Sequence, residues 1–113
     1  MRVRLTLAAV AVAALPVLAQ AQHQGHGTMG GSDQAYMDAH QKMTGDMQVK
    51  PTGDSDRDFA AMMIPHHQGA IDMARIALKH GKDPEIRKLA EAVVSAQESE
   101  IAQLKEWLAR HPK

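Results

Sequence analysis

The sequence predicts an all-α fold, and three observations carry that prediction. Apolar residues recur at spacings of three and four across two long stretches, the period of a helix with one buried face. Capping and stopping residues bracket those stretches, Asp54-Ser55 to Gly81 and Asp83-Pro84 to Pro112. No segment shows the apolar–polar alternation of a strand. With 113 residues the chain has room for one domain. It contains no Cys, which excludes a disulfide scaffold, a thiolate zinc finger, a thiol nucleophile and cysteine-held iron–sulfur clusters. Its 13 basic and 13 acidic residues balance, unlike the basic excess of a nucleic-acid binder. Against that plain background stand 8 Met and 7 His.

Taken in order, the first element is not part of the fold. Arg2 and Arg4 open a short basic start, Leu5 to Leu18 is an uncharged apolar run, and Ala19-Gln20-Ala21 supplies small residues for cleavage. This is the pattern of a secretory signal peptide over residues 1–21, and the run is too short for a transmembrane helix. Cleavage after Ala21 would leave 92 of the 113 residues, with a formal charge of −2 once Arg2 and Arg4 are gone. The expected location is the periplasm or the exterior, with no membrane-spanning segment in the product. In such an oxidising compartment a soft-metal protein has reason to use thioether and imidazole instead of thiol.

Residues 22–53 are expected to hold a flexible arm and a first helix. The arm (residues 22–32, QHQGHGTMGGS) is Gly-rich and polar, with His23, His26 and Met29. Ser32 is placed to cap a helix reaching about Met47, where Gly45 and then Pro51-Thr52-Gly53 weaken and stop it. Met37, His40, Met43 and Met47 share about a third of that helix's circumference at ~100° per residue. Apart from Tyr36 and Val49 the segment has no other large apolar residue, so the stripe is a poor core face and a good soft-metal face.

Residues 54–111 form the expected hairpin domain. Asp54 or Ser55 caps the second helix, Ser55 and Asp58 approximate a capping box, and Gly81 follows Lys79 and His80 as the stop. Phe59, Met63, Ala70, Ala74 and Leu78 make its apolar arc, and Pro65 removes one backbone bond and is expected to kink it near Ala61. Met62, His66, Met73 and His80 fall within about 40° of one another along the edge of that arc, and His67 falls inside it. The third helix opens on Asp83-Pro84-Glu85 and carries Ile86, Leu89, Ala90, Val93, Ala96, Ile101, Leu104 and Leu108 as its stripe. The link from Lys79 to Asp83 is short enough to force an antiparallel hairpin. The expected architecture is this hairpin plus an N-terminal helix, of the ferritin-like or four-helix-bundle type, with homodimerisation as a route to a larger core.

Two adjacent histidines on an apolar half each need a hydrogen-bond partner or a ligand role. With Met62, Met63 and Met73 within one or two turns, the ligand role is the stronger reading. Cu(I) accepts thioether sulfur and imidazole nitrogen, and Ag(I) behaves alike; Zn(II) would leave the methionine excess unexplained. His23 and His26 of the arm suit Cu(II).

The run Asp58-Phe59-Ala60-Ala61-Met62-Met63-Ile64-Pro65-His66-His67-Gln68-Gly69-Ala70-Ile71-Asp72-Met73-Ala74 resembles the signature of the CopM-like exported copper-binding family, domain-of-unknown-function family 305. Asp83-Pro84-Glu85-Ile86-Arg87, Leu89-Ala90, Ala96-Gln97, Glu100-Ile101 and Trp107-Leu108 are similar to it too, so the likeness spans residues 54–110. It implies an exported, helical, ferritin-like protein binding copper through Met and His, with Met63, His66, His67 and Met73 at motif positions. Leu104 departs from the Met that the family commonly has there, so a thioether at that position is missing.

The expected function is therefore to buffer, sequester or hand on Cu(I), with no catalysis. The candidate ligands are His66, His67 and Met73, then Met62 and Met63, then His80, with Met37, His40, Met43 and Met47 from the first helix. Another copper-handling envelope protein is the expected partner. Enzyme readings lack their residues: no Glu-x-x-His pair, no His-Glu-x-x-His and no nucleophile elbow occurs, and Asp58 and Asp72 read as solvated charges. A haem-binding electron-transfer bundle and a metal-free helical adaptor or chaperone are the alternatives, and three aromatics are few for lining a haem pocket.

Overall fold

The computed structural model describes residues 30–113, which form three α-helices: α1 (Gly31–Asp46), α2 (Ser55–His80) and α3 (Pro84–Arg110). No strand occurs among the described residues, so the all-α expectation holds. The expected signal peptide and the arm residues His23, His26 and Met29 lie outside the described residues.

Each helix begins where local chemistry can satisfy its first amides. At α2, the Asp54 carboxylate accepts from the backbone N–H groups of Asp56 (3.0 Å) and Arg57 (3.2 Å). Asp83 does the same for α3, accepting from Glu85 (2.9 Å) and Ile86 (3.0 Å), with Pro84 at the first helical position. The expected capping box is absent. Asp58 turns back to the preceding loop, where it accepts from Thr52 N (2.8 Å), Thr52 Oγ1 (2.7 Å) and Gly53 N. Those hydrogen bonds, made at the exposed surface, hold its carboxyl below the usual carboxylate range and so keep it charged. Ser32 does not cap α1 either. The helix starts two residues earlier than that cap would set, behind Gly30, with no side-chain cap.

Pro65 sits inside α2, which runs unbroken from Ser55 to His80. Gly81 follows as the stop, in an extended conformation (φ −73°). What requires glycine there is space, because a Cβ would lie 2.5 Å from the Ala77 carbonyl oxygen. Arg87 Nη1 then covers the end of α2 by donating to the carbonyls of Leu78 (2.6 Å) and Gly81 (3.1 Å), a cation placed where the helix dipole is negative.

The expected antiparallel hairpin of α2 and α3 is the main packing unit, and α1 packs on α2 alone. The interior between helices is small. Ala60, Ile71, Ala74, Ala90 and Ile101 are the buried apolar residues, and Ile71 is the one large side chain fully removed from solvent among the described residues. The face of α2 that meets α3 runs through Ala60, His67, Ile71 and Ala74, rotated from the expected arc, which leaves Phe59 61% exposed. On α3 the expected stripe also thins toward its N-terminus, since Ile86, Leu89 and Ala96 are exposed. The far end of the hairpin is closed by Arg57 donating to the His111 carbonyl and by Trp107 stacked on His111 at 4.1 Å.

Candidate metal centre

The methionine and histidine candidates separate onto two sides of α2. The first side faces α1. A Cβ on Gly31 would lie 3.8 Å from His80, and one on Gly69 would lie 2.4 Å from the Met43 sulfur, so α1 runs antiparallel to α2. Gly69 permits this approach: the Met43 side chain occupies the volume a larger residue would need. Between those two contacts, Met37 and His40 of α1 and Met73 of α2 line one groove of about 350 Å³, with Tyr36 and Gln41. Met37, His40 and Met43 from the first helix's stripe and Met73 and His80 from the second helix's line thus lie along one seam.

The donor chemistry of this groove is two thioethers and one imidazole. Met37 is 47% exposed and Met73 43%, and His40 is also exposed, so all three are open to an ion from solvent. No carboxylate lines the groove. Among the described residues no three His, Cys, Asp or Glu side chains converge as a metal-holding group. A soft monovalent ion fits the donors present.

The second side faces α3. His67 is only 7% exposed, and its Nε2–H donates to the Glu100 carboxylate across the helix pair. The other ring nitrogen, Nδ1, is buried and has no partner among the described residues. Neither nitrogen of His67 is therefore presented to a solvent-borne ion. Met63 and His67 line a larger groove of about 780 Å³ with Phe59, Leu104, Trp107 and Glu100. Leu104 is in that wall. His66, expected on the apolar half, is exposed instead, while Met62 and Met47 are half-buried. The antiparallel register set by Gly31–His80 and Met43–Gly69 carries Met47 to the level of Met62 and His66.

Glu100 escaped sequence reasoning. The signal for it was the unmet need of a buried His67 for a partner, with Glu100 one residue from the core position Ile101. Gln68 and Asp72 pair on the other face (3.0 Å), and Arg75 pairs with Glu98 (2.9 Å). A Glu100→Ala chain would leave His67 buried with no partner among the described residues at either nitrogen. Its expected cost is about 1–3 kcal/mol, read as a lowered midpoint in thermal unfolding. Cu(I) affinity at the α1–α2 seam should stay the same, and a large change in affinity would make His67 a ligand.

Comparison with known proteins places these helices in a wider group. The sequence pattern of a family described as "Domain of unknown function (DUF305)" matches residues 8–108, most of the chain. The chain is also similar to "Uncharacterized protein L153" of Acanthamoeba polyphaga mimivirus, at 37% identity over 49 residues. That match covers 43% of this chain and 32% of the viral protein, so the chain spans about a third of that relative's length.

Proposed function

This chain belongs to the DUF305 family, and we propose that it is an exported, CopM-like protein that binds Cu(I) through methionine and histidine. The observation that carries the reading is the groove where Met37, His40 and Met73 come together from two helices. Thioether sulfur is a weak, polarisable donor that hard cations in water do not select, whereas Cu(I) and Ag(I) do. A chain with 8 Met, 7 His and no Cys is composed for that chemistry in a compartment where thiols oxidise.

Binding and release by ligand exchange is the whole mechanism. The site is shallow and its donors are exposed, so an ion can be taken up from, or passed to, another thioether- or imidazole-bearing envelope protein without unfolding. Buffering or transfer follows, with no bond in any substrate made or broken. His66, Met62 and Met47, brought to one level by the antiparallel register, are the next candidate donors, and His80 lies at the far end of the seam beside Gly31. The seam offers a line of donors instead of one enclosed cage.

The test is a competition in which the full chain draws Cu(I) from a chromophoric chelator, run beside Zn(II) and haem. The reading expects submicromolar Cu(I) affinity, weaker Zn(II) binding and no Soret band. Affinity for Cu(I) no tighter than micromolar would overturn it.

A further inference from the structure

We propose that Met37 and Met73 are a paired oxidation site, at which conversion to methionine sulfoxide by a hydroperoxide switches off soft-metal binding. The inference rests on the reading of the α1–α2 groove as a soft-metal site, and extends it to regulation of that site. The chain has no Cys, so no thiol competes for oxidant and its methionines are its most readily oxidised side chains. Among the described methionines, Met37 and Met73 are the two exposed ones. Met47, Met62 and Met63 are half-buried, and Met43 packs over Gly69. The two exposed methionines are thus also the two that line one groove with His40.

The step is a two-electron oxygen transfer. The thioether lone pair attacks the terminal oxygen of the hydroperoxide, the O–O bond breaks and an S–O bond forms. The transferred oxygen's proton moves to the departing oxygen, which leaves as water or alcohol. Sulfur is oxidised by two electrons and the peroxide is reduced by two. One of the sulfur's two lone pairs is committed to the S–O bond, the remaining one sits on an electron-poor sulfur and is a much weaker donor, and the new oxygen is a hard, polar acceptor with little affinity for Cu(I). Two of the three donors are lost and His40 is left alone. Reduction of the sulfoxide by a dithiol-driven methionine sulfoxide reductase restores both.

The full chain, metal-free and Ag(I)-loaded, is treated with hydrogen peroxide, and oxygen uptake at each methionine is followed by peptide mass spectrometry. Met37 and Met73 of the metal-free chain should gain oxygen several-fold faster than Met62 and Met63. Bound Ag(I) should slow those two selectively. The oxidised chain should fail to take Cu(I) from a chelator until methionine sulfoxide reductase is added. Equal oxidation of Met62 and Met63 with Met37 and Met73 would overturn the oxidation site while leaving the metal reading intact. Selective oxidation of Met37 and Met73 without Ag(I) protection or loss of Cu(I) uptake would overturn the switch through failure of the metal reading itself.

Discussion

Replacing both Met37 and Met73 with leucine should lower the Cu(I) affinity of the full chain by about 100-fold or more, while its helical circular dichroism stays unchanged. The magnitude has a floor, because disturbing even the residues that support metal ligands costs roughly 10–100-fold. Removing two of three donors in one groove should exceed that. Leucine keeps the volume and apolar character of methionine, and such swaps usually cost less than about 1.5 kcal/mol in folding. Both positions are exposed, which reduces the packing cost further. A His66→Ala, Met73→Ala double variant should also lose most Cu(I) binding, chiefly through Met73. If the Met37, Met73 variant binds copper as before, the donors lie elsewhere in the chain.

The second large effect comes from a residue that touches no metal. Gly69→Ala would set a Cβ 2.4 Å from the Met43 sulfur and 2.9 Å from the Met43 Cβ, so side-chain rotation alone cannot relieve it. Overpacking of this kind costs about 1–3 kcal/mol, against roughly 1 kcal/mol gained in helix propensity. α1 has little with which to absorb the difference, since none of its residues is fully buried and it packs on α2 alone. The expected result is an α1 that separates from an intact α2–α3 hairpin, parting Met37 and His40 from Met73. Cu(I) affinity should fall by about tenfold, the factor that corresponds to roughly 1.4 kcal/mol. Adding Met43→Ala should recover most of it by vacating the space. An unchanged affinity in Gly69→Ala would show that the α1–α2 contact does not build the site.

These two variants also mark what was legible in the sequence. Helix limits were legible because caps act locally: Asp54, Asp83 and Gly81 work on amides and carbonyls within a turn, and all three fall where expected. The shared line of Met62, His66, Met73 and His80 was legible as well, because angular phase depends on spacing alone. What that line faces was not. Phase does not say which helix covers which side, so it does not separate His67, at a different angle, from the other candidate donors. The structure turns His67 toward α3 and Glu100, and Met73 toward α1. Phe59 and Leu89 show the same limit. Large apolar residues at helical spacing are natural core candidates, yet this hairpin packs closely through alanines and leaves both exposed. Gly69 reads as a weak point in an isolated helix, and only the approach of Met43 explains it.

The central claim is that thioether sulfur and imidazole nitrogen from α1 and α2 hold copper together. Its most direct test is copper K-edge X-ray absorption on the full chain loaded with one equivalent of Cu(I). The expected spectrum has a low-coordinate Cu(I) edge and a sulfur-dominated first shell with a nitrogen contribution, the sulfur signal falling away in the Met37→Leu, Met73→Leu chain. A shell of nitrogen and oxygen alone, unchanged by those substitutions, would contradict it.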